Sequence, residues 1–511
     1  MKKTSLLTLI FILLFVLAAC GDSRTTLDPR ALVPEECQHI DNIDDWQPVW
    51  CDDFDTNGAP DPTRWGFDLG GGGWGNRELQ FYTDSLDNAF IEDGVLTIRA
   101  IREDHQGHEF TSARLVTRQR GDWLYGRVQV KARVPEGRGT WPAIWMLPTD
   151  VVYGIWPNSG EIDIMEHVGY DPNVIHGTIH TAAFNHMINT QIGFNTEIPT
   201  ATSDFHLYEM IWEPGRIELF IDGERFAFFG FNPELNINNE NYEAWPFDQR
   251  FHLILNLAIG GDWGGVRGVD RDAFPNQMDI EFVRVFQRDK AGMDQSPPEQ
   301  VTQLTERLSS PTHTRLHWAH AIDDVMVSHY EIFVDGVYYD QTSLNAKNIR
   351  GLTPNTRHVI EVVAVDFAGN RSEPRAIAIN TPSMRSFNGQ IEASSFDTRR
   401  GVSVEESQEG TFANQVNFTS NTDFITFDLH VEEAGTYRIH YRIASESGGD
   451  IRLFRGSVRT DTTSFESTGG DGVWQTISTD TFTLPEGVFT FRIVAPRGSL
   501  NLHYLDIEKV E

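Results

Sequence analysis

The chain has 511 residues, which is too long for one hydrophobic core and predicts about two to four domains. Its 41 basic and 74 acidic side chains give a net charge of −33. A surface of this charge repels the phosphates of nucleic acids and of anionic lipids. The composition therefore argues against nucleic acid as a partner and suits an exported protein with a neutral partner.

Residues 1–20 have the pattern of an export signal. Lys2 and Lys3 precede an apolar stretch, Leu6 to Leu17, that is shorter than the ~20 residues a membrane-spanning helix needs. The stretch ends in LAAC (Leu17 to Cys20), which resembles the lipobox of bacterial lipoproteins. The resemblance implies that Cys20 is lipidated and that the exported protein is anchored to the outer face of a bacterial membrane. A plain secretory signal is the alternative. The protein is expected to be a monomer.

The next segment, residues 21–44, is polar and is predicted to be a tether. Cys37 and Cys51 are the two cysteines that remain beyond the signal. In an exported chain, two thiols that close a short loop fit one disulfide, and a pair of unlinked thiols is the alternative.

Residues 45–288 have the pattern of β-strands almost throughout. Segments such as Val95 to Ile101 and Phe251 to Gly260 are short, rich in β-branched and aromatic residues, and separated by Gly, Asn, Asp and Pro. This pattern is typical of a β-sandwich or barrel. Sustained helical periodicity is hard to find, so the fold class is predicted to be all-β.

Three carboxylates stand close together in GEIDIMEH, residues 160–167. In a strand, Glu161 and Asp163 point to one face, while strict alternation turns Glu166 to the other. One extra residue, a β-bulge, would return Glu166 to the face of the first two acids, and bulges occur next to active sites. Three carboxylates on one face repel each other unless at least one of them is protonated.

Hydrolysis of a glycoside with retention of the anomeric configuration requires a protonated carboxyl group next to an ionised carboxylate. One carboxylate attacks the anomeric carbon, and the other protonates the leaving oxygen. Asp163 would share a hydrogen bond with Glu161 and modulate its pKa. An acidic edge strand or a calcium site is the alternative, but the apolar neighbours of the acids indicate a buried strand, where unpaired charges are costly.

The motif Glu161-Ile162-Asp163-Ile164-Met165-Glu166 resembles the ExDxxE signature of family 16 glycoside hydrolases, in the branch with the bulged strand. The resemblance covers residues 45–288. Flanking blocks resemble those of bacterial endo-1,3-β-glucanases, or laminarinases: WPNSG (Trp156 to Gly160), HGTIHT (His176 to Thr181) and LNLAIGGDW (Leu255 to Trp263). The resemblance implies a β-jelly-roll with Glu161 as nucleophile, Glu166 as general acid/base and Asp163 as a residue that assists Glu161. It implies no cofactor for catalysis.

The resemblance also implies substrate-binding residues around these acids. Flat indole rings suit the apolar faces of pyranose rings, although core packing is the alternative for each tryptophan. His180 is expected to face Glu166, or else to be a structural histidine whose hydrogen bonds are satisfied. The predicted substrate-binding residues are Asn76, Glu78, Trp141, Trp145, Trp156, His180 and Trp263.

Some members of the family carry a structural calcium on the convex face. The resemblance places its ligands at Asp53, the carbonyl of Gly94, and Glu281. Asp53 stands where Glu is usual and Glu281 where Asp is usual, and both remain hard oxygen donors.

A segment of linker composition, residues 289–298, leads to residues 299–382, which resemble a fibronectin type III domain, an immunoglobulin-like sandwich. The matching residues are Trp318, Tyr330, LTPNT (Leu352 to Thr356) and VVAVDFAGNRSEP (Val362 to Pro374). Nothing in this unit carries chemistry, so a spacer is expected and a partner-binding surface is the alternative.

Residues 384–511 resemble a family 6 carbohydrate-binding module, a further β-sandwich. The matching segments are QIEASSFD (Gln390 to Asp397), VEEAGTYRIHYRIAS (Val431 to Ser445) and GSLNLHYLDI (Gly498 to Ile507). The resemblance implies that Phe418 and Trp474 sandwich a sugar ring and that Asn501 hydrogen-bonds it. Phe418 replaces a usual Tyr, which removes a hydroxyl but keeps the stacking face.

Two classes of function fit these features. The first is a retaining endo-β-glucanase that cleaves 1,3-β-glucosidic bonds of laminarin-type polysaccharide, with agarase, carrageenase and mixed-linkage glucanase activities as alternatives within the enzyme class. The second is a non-catalytic surface lipoprotein that binds glucan. The intact set of Glu161, Asp163 and Glu166 favours the first, because loss of either Glu is the simplest route to the second.

Overall fold

The structure is a computed structural model that describes residues 33–236, 240–288, 294–407, 409–497 and 499–511. Cys20, the predicted lipidation site, and the first half of the predicted linker lie outside the described residues. Within the described part of the chain, no helix is both long and apolar enough to cross a membrane.

The described residues of the first unit form eighteen strands and a few single-turn helices. Its strands are β1 (Trp46–Asp52), β2 (Gly66–Phe67), β3 (Gln80–Tyr82), β4 (Ala89–Glu92), β5 (Val95–His105), β6 (His108–Ser112), β7 (Arg114–Val116), β8 (Asp122–Trp123), β9 (Gly126–Arg133), β10 (Thr140–Pro148), β11 (Glu161–His167), β12 (Val174–His180), β13 (Ile192–Glu197), β14 (His206–Glu213), β15 (Arg216–Ile221), β16 (Glu224–Gly230), β17 (Phe251–Ile259) and β18 (Asn276–Arg288). Its helices are α1 (Asn241–Ala244) and the 3-10 turns Glu35–Cys37, His186–Ile188, Pro233–Asn236 and Arg271–Ala273.

These strands form two sheets that pack face to face. The larger sheet has the order β16-β15-β14-β9-β18-β5-β6-β3, with β1 paired to β18 and β4 to β5. The other sheet has the order β13-β12-β11-β10-β17-β7-β2, with β8 paired to β17. The predicted β-jelly-roll sandwich is confirmed, and the acid-bearing strand β11 lies near the middle of the second sheet.

Strand β17 shows how the sequence positions the site. Its alternate residues Leu253, Leu255 and Leu257 belong to the core cluster between the two sheets, where each buried leucine stabilises the fold by about 1.5–3 kcal/mol. Asn256 and Ala258, in the opposite phase, line a cleft on the outer face of the same sheet. A strand that is apolar on one face and mixed on the other therefore carries both the core and the cleft floor.

The N-terminal end of this unit is closed by a disulfide. Cys37 and Cys51 are linked, with their Cα atoms 5.8 Å apart, and both residues are buried. The bond joins the 3-10 turn Glu35–Cys37 to strand β1, so the segment ahead of the sandwich is fixed to it.

The middle unit is a smaller two-sheet sandwich with its own core around Trp318 and Tyr330. Its strands are β19 (Thr302–Ser309), β20 (His313–Ala319), β21 (Val327–Val334), β22 (Val337–Thr342), β23 (Ala346–Arg350), β24 (Arg357–Asp366) and β25 (Arg375–Asn380). They form a three-stranded sheet, β19-β20-β23, and a four-stranded sheet, β22-β21-β24-β25.

The third unit is again a sandwich of two sheets with a separate core. Its strands are β26 (Arg385–Ser386), β27 (Gly389–Glu392), β28 (Thr398–Arg400), β29 (Ser403–Glu406), β30 (Asn414–Phe418), β31 (Phe424–Val431), β32 (Gly435–Ser445), β33 (Gly449–Arg455), β34 (Val458–Phe465), β35 (Gly470–Ser478), β36 (Phe482–Leu484), β37 (Gly487–Arg497) and β38 (Leu500–Lys509), with the 3-10 turn Ala393–Ser395. One sheet runs β26-β31-β37-β33-β34 with β28 on β31, and the other runs β29-β30-β38-β32-β35 with β27 on β38 and β36 on β32.

The middle unit packs directly against the first. Leu344 and Ala346 are fully buried in the core cluster of the first sandwich. The guanidinium of Arg315, which has no exposed surface, donates to the Asn241 side-chain oxygen at 2.9 Å, and Asn241 donates to the Ala346 carbonyl at 2.7 Å. The two units are therefore joined by a packed interface as well as by the linker.

The middle unit also contacts the third. His313 Nδ1 lies 3.3 Å from Asp428 Oδ2, and the Thr312 hydroxyl donates to the same carboxylate. Although burial alone would raise the pKa of Asp428, hydrogen bonds from His313, Thr312 and Thr490 lower it to about 2. Asp428 is consequently an ionised acceptor that ties the third unit to the second.

Candidate active site

The predicted β-bulge is present in strand β11. In the pairing with β10, Met165 lies opposite Ile144 and Asp163 opposite Trp145, so Ile164 has no partner. The pairing with β12 shifts between Asp163 and Glu166 as well. As a result Glu166 lies on the same face as Glu161 and Asp163, and all three carboxylates line one cleft.

The cleft has a volume of about 370 Å³ and an aromatic lining. Five of the predicted substrate-binding residues lie in its wall, namely Asn76, Glu78, Trp141, Trp145 and Trp156. Trp263 is not among the lining residues and instead packs edge-on against Trp141, with ring centroids 5.5 Å apart. Trp74, Arg114, His186, Met187 and Asn256 also line the cleft and were not predicted.

Burial and mutual repulsion raise the pKa of all three acids. Burial, and then the charge of Glu166, raise the pKa of Glu161. Burial raises the pKa of Glu166. The hydrogen bond from Trp141 lowers this pKa, and the charge of Glu78 raises it further. Burial and the two glutamates hold the pKa of Asp163 well above its usual range. The group therefore retains protons at neutral pH, as three adjacent carboxylates must.

His180 does not face Glu166 as the sequence suggested. It lies across the strand pair from Glu161, and its Nε2 is 3.8 Å from Glu161 Oε1 and 3.4 Å from Asp163 Oδ2. His176 is the residue opposite Glu166. The difference arises because β11 and β12 are antiparallel in a register that pairs Glu161 with His180, so Glu166 lies further along the pair, opposite His176. Burial lowers the pKa of His180 to about 4, so its imidazole is neutral at working pH.

Asp163 is the acid best placed to hold a proton at neutral pH. It is 3% exposed and lies within hydrogen-bonding reach of Glu161. Among the described residues, no N–H or O–H group donates to its Oδ2. A neutral Asp163 can donate its own proton to an ionised Glu161, which removes one charge from the cluster and orients the other carboxylate.

This protonation state predicts different results for two substitutions of Asp163. Asp163→Asn keeps a donor toward Glu161 and should retain most of the turnover, whereas Asp163→Ala removes the donor. A hydrogen bond to a charged group contributes about 1.5–3 kcal/mol, so kcat for the Ala variant should fall by roughly 10–150-fold. Steady-state kinetics on one soluble substrate measures both. Equal losses of kcat in Asp163→Asn and Asp163→Ala would mean that Asp163 acts as an anion.

Glu78 and Asn76 form the wall beside Glu166. Glu78 accepts hydrogen bonds from Gln80 at 2.6 Å and from Asn76 at 3.3 Å, and burial raises its pKa. Tyr82 donates to the same carboxylate at 3.4 Å. The wall is therefore a fixed polar network whose remaining acceptor positions face the cleft.

Arg114 is a site residue that the sequence reasoning missed. It is 8% exposed, its Nε lies 3.2 Å from Asp68 Oδ2, and its guanidinium lies over the rings of Trp74 and Trp145 at 4.8 and 4.7 Å. Its charge favours the ionised form of Glu161. The signal in the sequence is an arginine at the start of the short strand β7, directly before the apolar Leu115 and Val116, because an arginine in an apolar setting requires a partner.

The residues predicted to bind calcium are arranged differently from a calcium site. Asp53 accepts two hydrogen bonds from Arg284, at 3.0 and 3.2 Å, and contacts His39. Glu281 lies 2.6 Å from the ammonium of Lys131. Gly94 is a left-handed glycine in the turn between β4 and β5, with φ +78°. Both carboxylates are already neutralised by basic side chains, so these residues do not fit a calcium ion.

Comparison with known proteins identifies the first unit. A family model described as glycosyl hydrolases family 16 matches residues 77–284. A beta-glucanase of Rhodothermus marinus is 52% identical over 249 residues, which are 48% of this chain and 87% of that protein. The chain belongs to glycosyl hydrolase family 16. A glucan endo-1,3-beta-glucosidase of Cryptopygus antarcticus is 38% identical over 47% of this chain and 91% of its own length.

The similarity of one relative extends across nearly the whole chain. The clotting factor G alpha subunit of Tachypleus tridentatus is 27% identical over an alignment of 530 positions, gaps included, that covers 91% of this chain and 76% of that protein. A second family model, carbohydrate binding module (family 6), matches residues 392–510. This glycoside hydrolase therefore combines a family 16 domain with a family 6 carbohydrate-binding module.

One residue predicted for the binding module is wrong. Phe418 has no exposed surface and packs in the module's core, so it cannot stack on a sugar. Phe412 is half-buried instead, and its ring lies 5.9 Å from that of His503. Trp474 also packs against His503, with ring centroids 5.3 Å apart, and Asn501 donates to the nearby Asp471 carbonyl at 3.0 Å. Phe412 and Trp474 share the fully buried His503 as a neighbour and are therefore the candidate stacking residues of the module.

The module has its own core, so residues 384–511 can be expressed alone. They are expected to bind a soluble β-glucan weakly, and Trp474→Ala should weaken binding at least about tenfold, because stacking on the indole is the largest contact such a site offers. Val473→Ala changes an exposed neighbour and is the control. Calorimetry with laminarin, agar and xylan oligosaccharides measures the affinity, and no binding to any of them would make the module purely structural.

Proposed function

We propose that this glycoside hydrolase is a retaining endo-1,3-β-glucanase that acts on laminarin-type polysaccharides. The observation that carries the proposal is the grouping of Glu161, Asp163 and Glu166 on the floor of a cleft walled by tryptophans. The names of the Rhodothermus and Cryptopygus relatives, a beta-glucanase and a glucan endo-1,3-beta-glucosidase, support the choice of linkage.

The surroundings of the two glutamates support their different roles. Burial and the charge of Glu166 raise the pKa of Glu161, and the charge of Arg114 and the hydrogen bond from Asp163 oppose them by favouring the negative charge that a nucleophile needs. Burial raises the pKa of Glu166 and the neighbouring Glu78 adds to this shift, so the protonated form that a general acid needs is favoured. Trp141 Nε1 donates to Glu166 Oε1 at 3.0 Å and fixes its orientation.

The reaction then has two displacements. A Glu161 oxygen attacks the anomeric carbon while Glu166 gives its proton to the departing glycosidic oxygen, which leaves a glycosyl ester on Glu161. Glu166, now ionised, takes a proton from water as the water oxygen attacks the same carbon and the ester bond breaks. Both partners return to their starting protonation states, and the product keeps the β configuration.

The remaining parts of the chain fit a function at the cell surface. Lipidation at Cys20 would tether the enzyme to the cell envelope, and the binding module would hold polysaccharide near it. The fibronectin type III-like middle unit would then set the distance between cleft and module. A single chain carries all of these parts, so a monomer suffices for the activity.

A panel of polysaccharides tests the proposal. Reducing sugar should be released from laminarin, with lichenan and agarose degraded more slowly or not at all. Early products followed by NMR should carry the β-anomer. Preferential release from lichenan or agarose would assign a different linkage or sugar, and early α-anomer would contradict retention.

A further inference from the structure

The nucleophile belongs to a group of three potential metal ligands. Glu161, Asp163 and His180 each offer one ligand atom, and these atoms all lie within 4.8 Å of one another. His180 Nε2 is 3.4 Å from Asp163 Oδ2 and 3.8 Å from Glu161 Oε1. In a tetrahedral zinc site with bonds of about 2.1 Å, donor atoms stand roughly 3.4 Å apart. The spacing observed here is close to that distance.

The chemistry of the group also favours an ion. Asp163 Oδ2 is buried, and among the described residues no donor hydrogen-bonds to it. His180 is 7% exposed, and its imidazole offers a nitrogen ligand toward the two carboxylates. One nitrogen and two carboxylate oxygens suit zinc or a similar borderline ion, whereas calcium and magnesium prefer oxygen alone. Glu161 opens to the cleft, which gives an ion a path in and leaves one position for water.

We propose that Glu161, Asp163 and His180 bind a borderline divalent transition-metal ion such as Zn²⁺, which displaces the proton shared by Asp163 and Glu161 into solvent, and that the bound ion inhibits the enzyme. The ion engages the nucleophile oxygen and occupies the space of the sugar, so inhibition is competitive with substrate. This site is separate from the convex face where a structural calcium was expected. The inhibitory consequence rests on the proposed function, whereas ion binding does not.

Calorimetric titration of the full chain with Zn²⁺ tests the site directly. His180→Gln removes the nitrogen ligand and should weaken binding of one Zn²⁺ at least about tenfold. Glu161→Gln, which replaces an anionic oxygen by an amide, should have the same effect. The control is His440→Gln in the third unit, where a histidine faces a single carboxylate, Glu508, at 3.4 Å. This variant should bind Zn²⁺ at the site as the wild type does.

The outcomes separate the site from its consequence. Unchanged Zn²⁺ binding in both His180→Gln and Glu161→Gln, with folding verified by circular dichroism, would overturn the proposal. A thio-linked laminari-oligosaccharide, which resists hydrolysis, should displace the ion, and Ca²⁺ should not compete with Zn²⁺. Loss of Zn²⁺ binding in the variants without displacement by the oligosaccharide would uphold the metal site and count against laminarin as the substrate.

Discussion

Glu161→Gln is expected to abolish hydrolysis of laminarin while leaving the fold and oligosaccharide binding intact. The carboxylate forms the covalent bond and stabilises the positive charge of the oxocarbenium-like transition state, and an amide does neither. Loss of a nucleophile costs on the order of 10⁴-fold or more in kcat. Gln has the shape of Glu and still accepts the hydrogen bond from Asp163, so the cleft should keep its geometry.

The measurement combines three readouts on one variant. Initial rates of reducing-sugar release report turnover, calorimetry with laminari-oligosaccharides reports binding, and thermal unfolding reports stability. Glu224→Gln, an exposed glutamate on strand β16 of the opposite sheet, is the matched control and should behave as the wild type. Turnover in Glu161→Gln comparable to the control would remove Glu161 from the role of nucleophile.

The position of the acids could be predicted because side-chain parity in a strand is a property of the sequence. Glu161 and Asp163 are two residues apart and must share a face, and Glu166 can join them only through an extra residue. The apolar neighbours Ile162 and Met165 show that the other face is a core. The all-β class and the sandwich units follow equally from short, β-branched segments separated by turns.

What could not be predicted depends on register between strands. The register of β12 against β11 pairs His180 with Glu161 and, beyond the bulge, His176 with Glu166. The partner of Arg114 is Asp68, whose position beside β7 becomes apparent only when the sheet is assembled. A sequence motif determines which residues a strand contains. The residues that lie opposite them on the adjacent strands depend on how distant segments of the chain pair.

The third unit shows the same limit on a smaller scale. Phe412 and Phe418 are six positions apart in one segment, and both are aromatic. Phe418 lies inside strand β30, where the alternation of side chains points it into the core. Phe412 precedes the strand, and its ring packs beside His503. The choice between them depends on where the strand begins, which is the least certain part of a prediction from sequence.

Glu166→Ala is expected to separate the roles of the two glutamates. Without the proton donor, cleavage of laminarin, whose leaving group is a sugar hydroxyl, should slow by roughly 10²–10⁴-fold. An activated aryl β-glycoside departs without proton transfer, so its first displacement should survive. The glycosyl ester on Glu161 should then accumulate, because water attacks it slowly when no general base is present.

Azide provides the decisive readout, since it is a nucleophile that needs no deprotonation. With Glu166→Ala, azide should attack the glycosyl ester on Glu161 and restore turnover of the aryl substrate, giving the β-glycosyl azide after two inversions. With Glu161→Ala, azide should enter the space of the missing carboxylate and give the α-azide after one inversion. NMR of the isolated azides distinguishes the two anomers. The opposite pairing of variant and anomer would reverse the roles of the two acids. The hydrogen bond from Asp163 to Glu161 would then orient the general acid, and the hydrogen bond from Trp141 to Glu166 would orient the nucleophile.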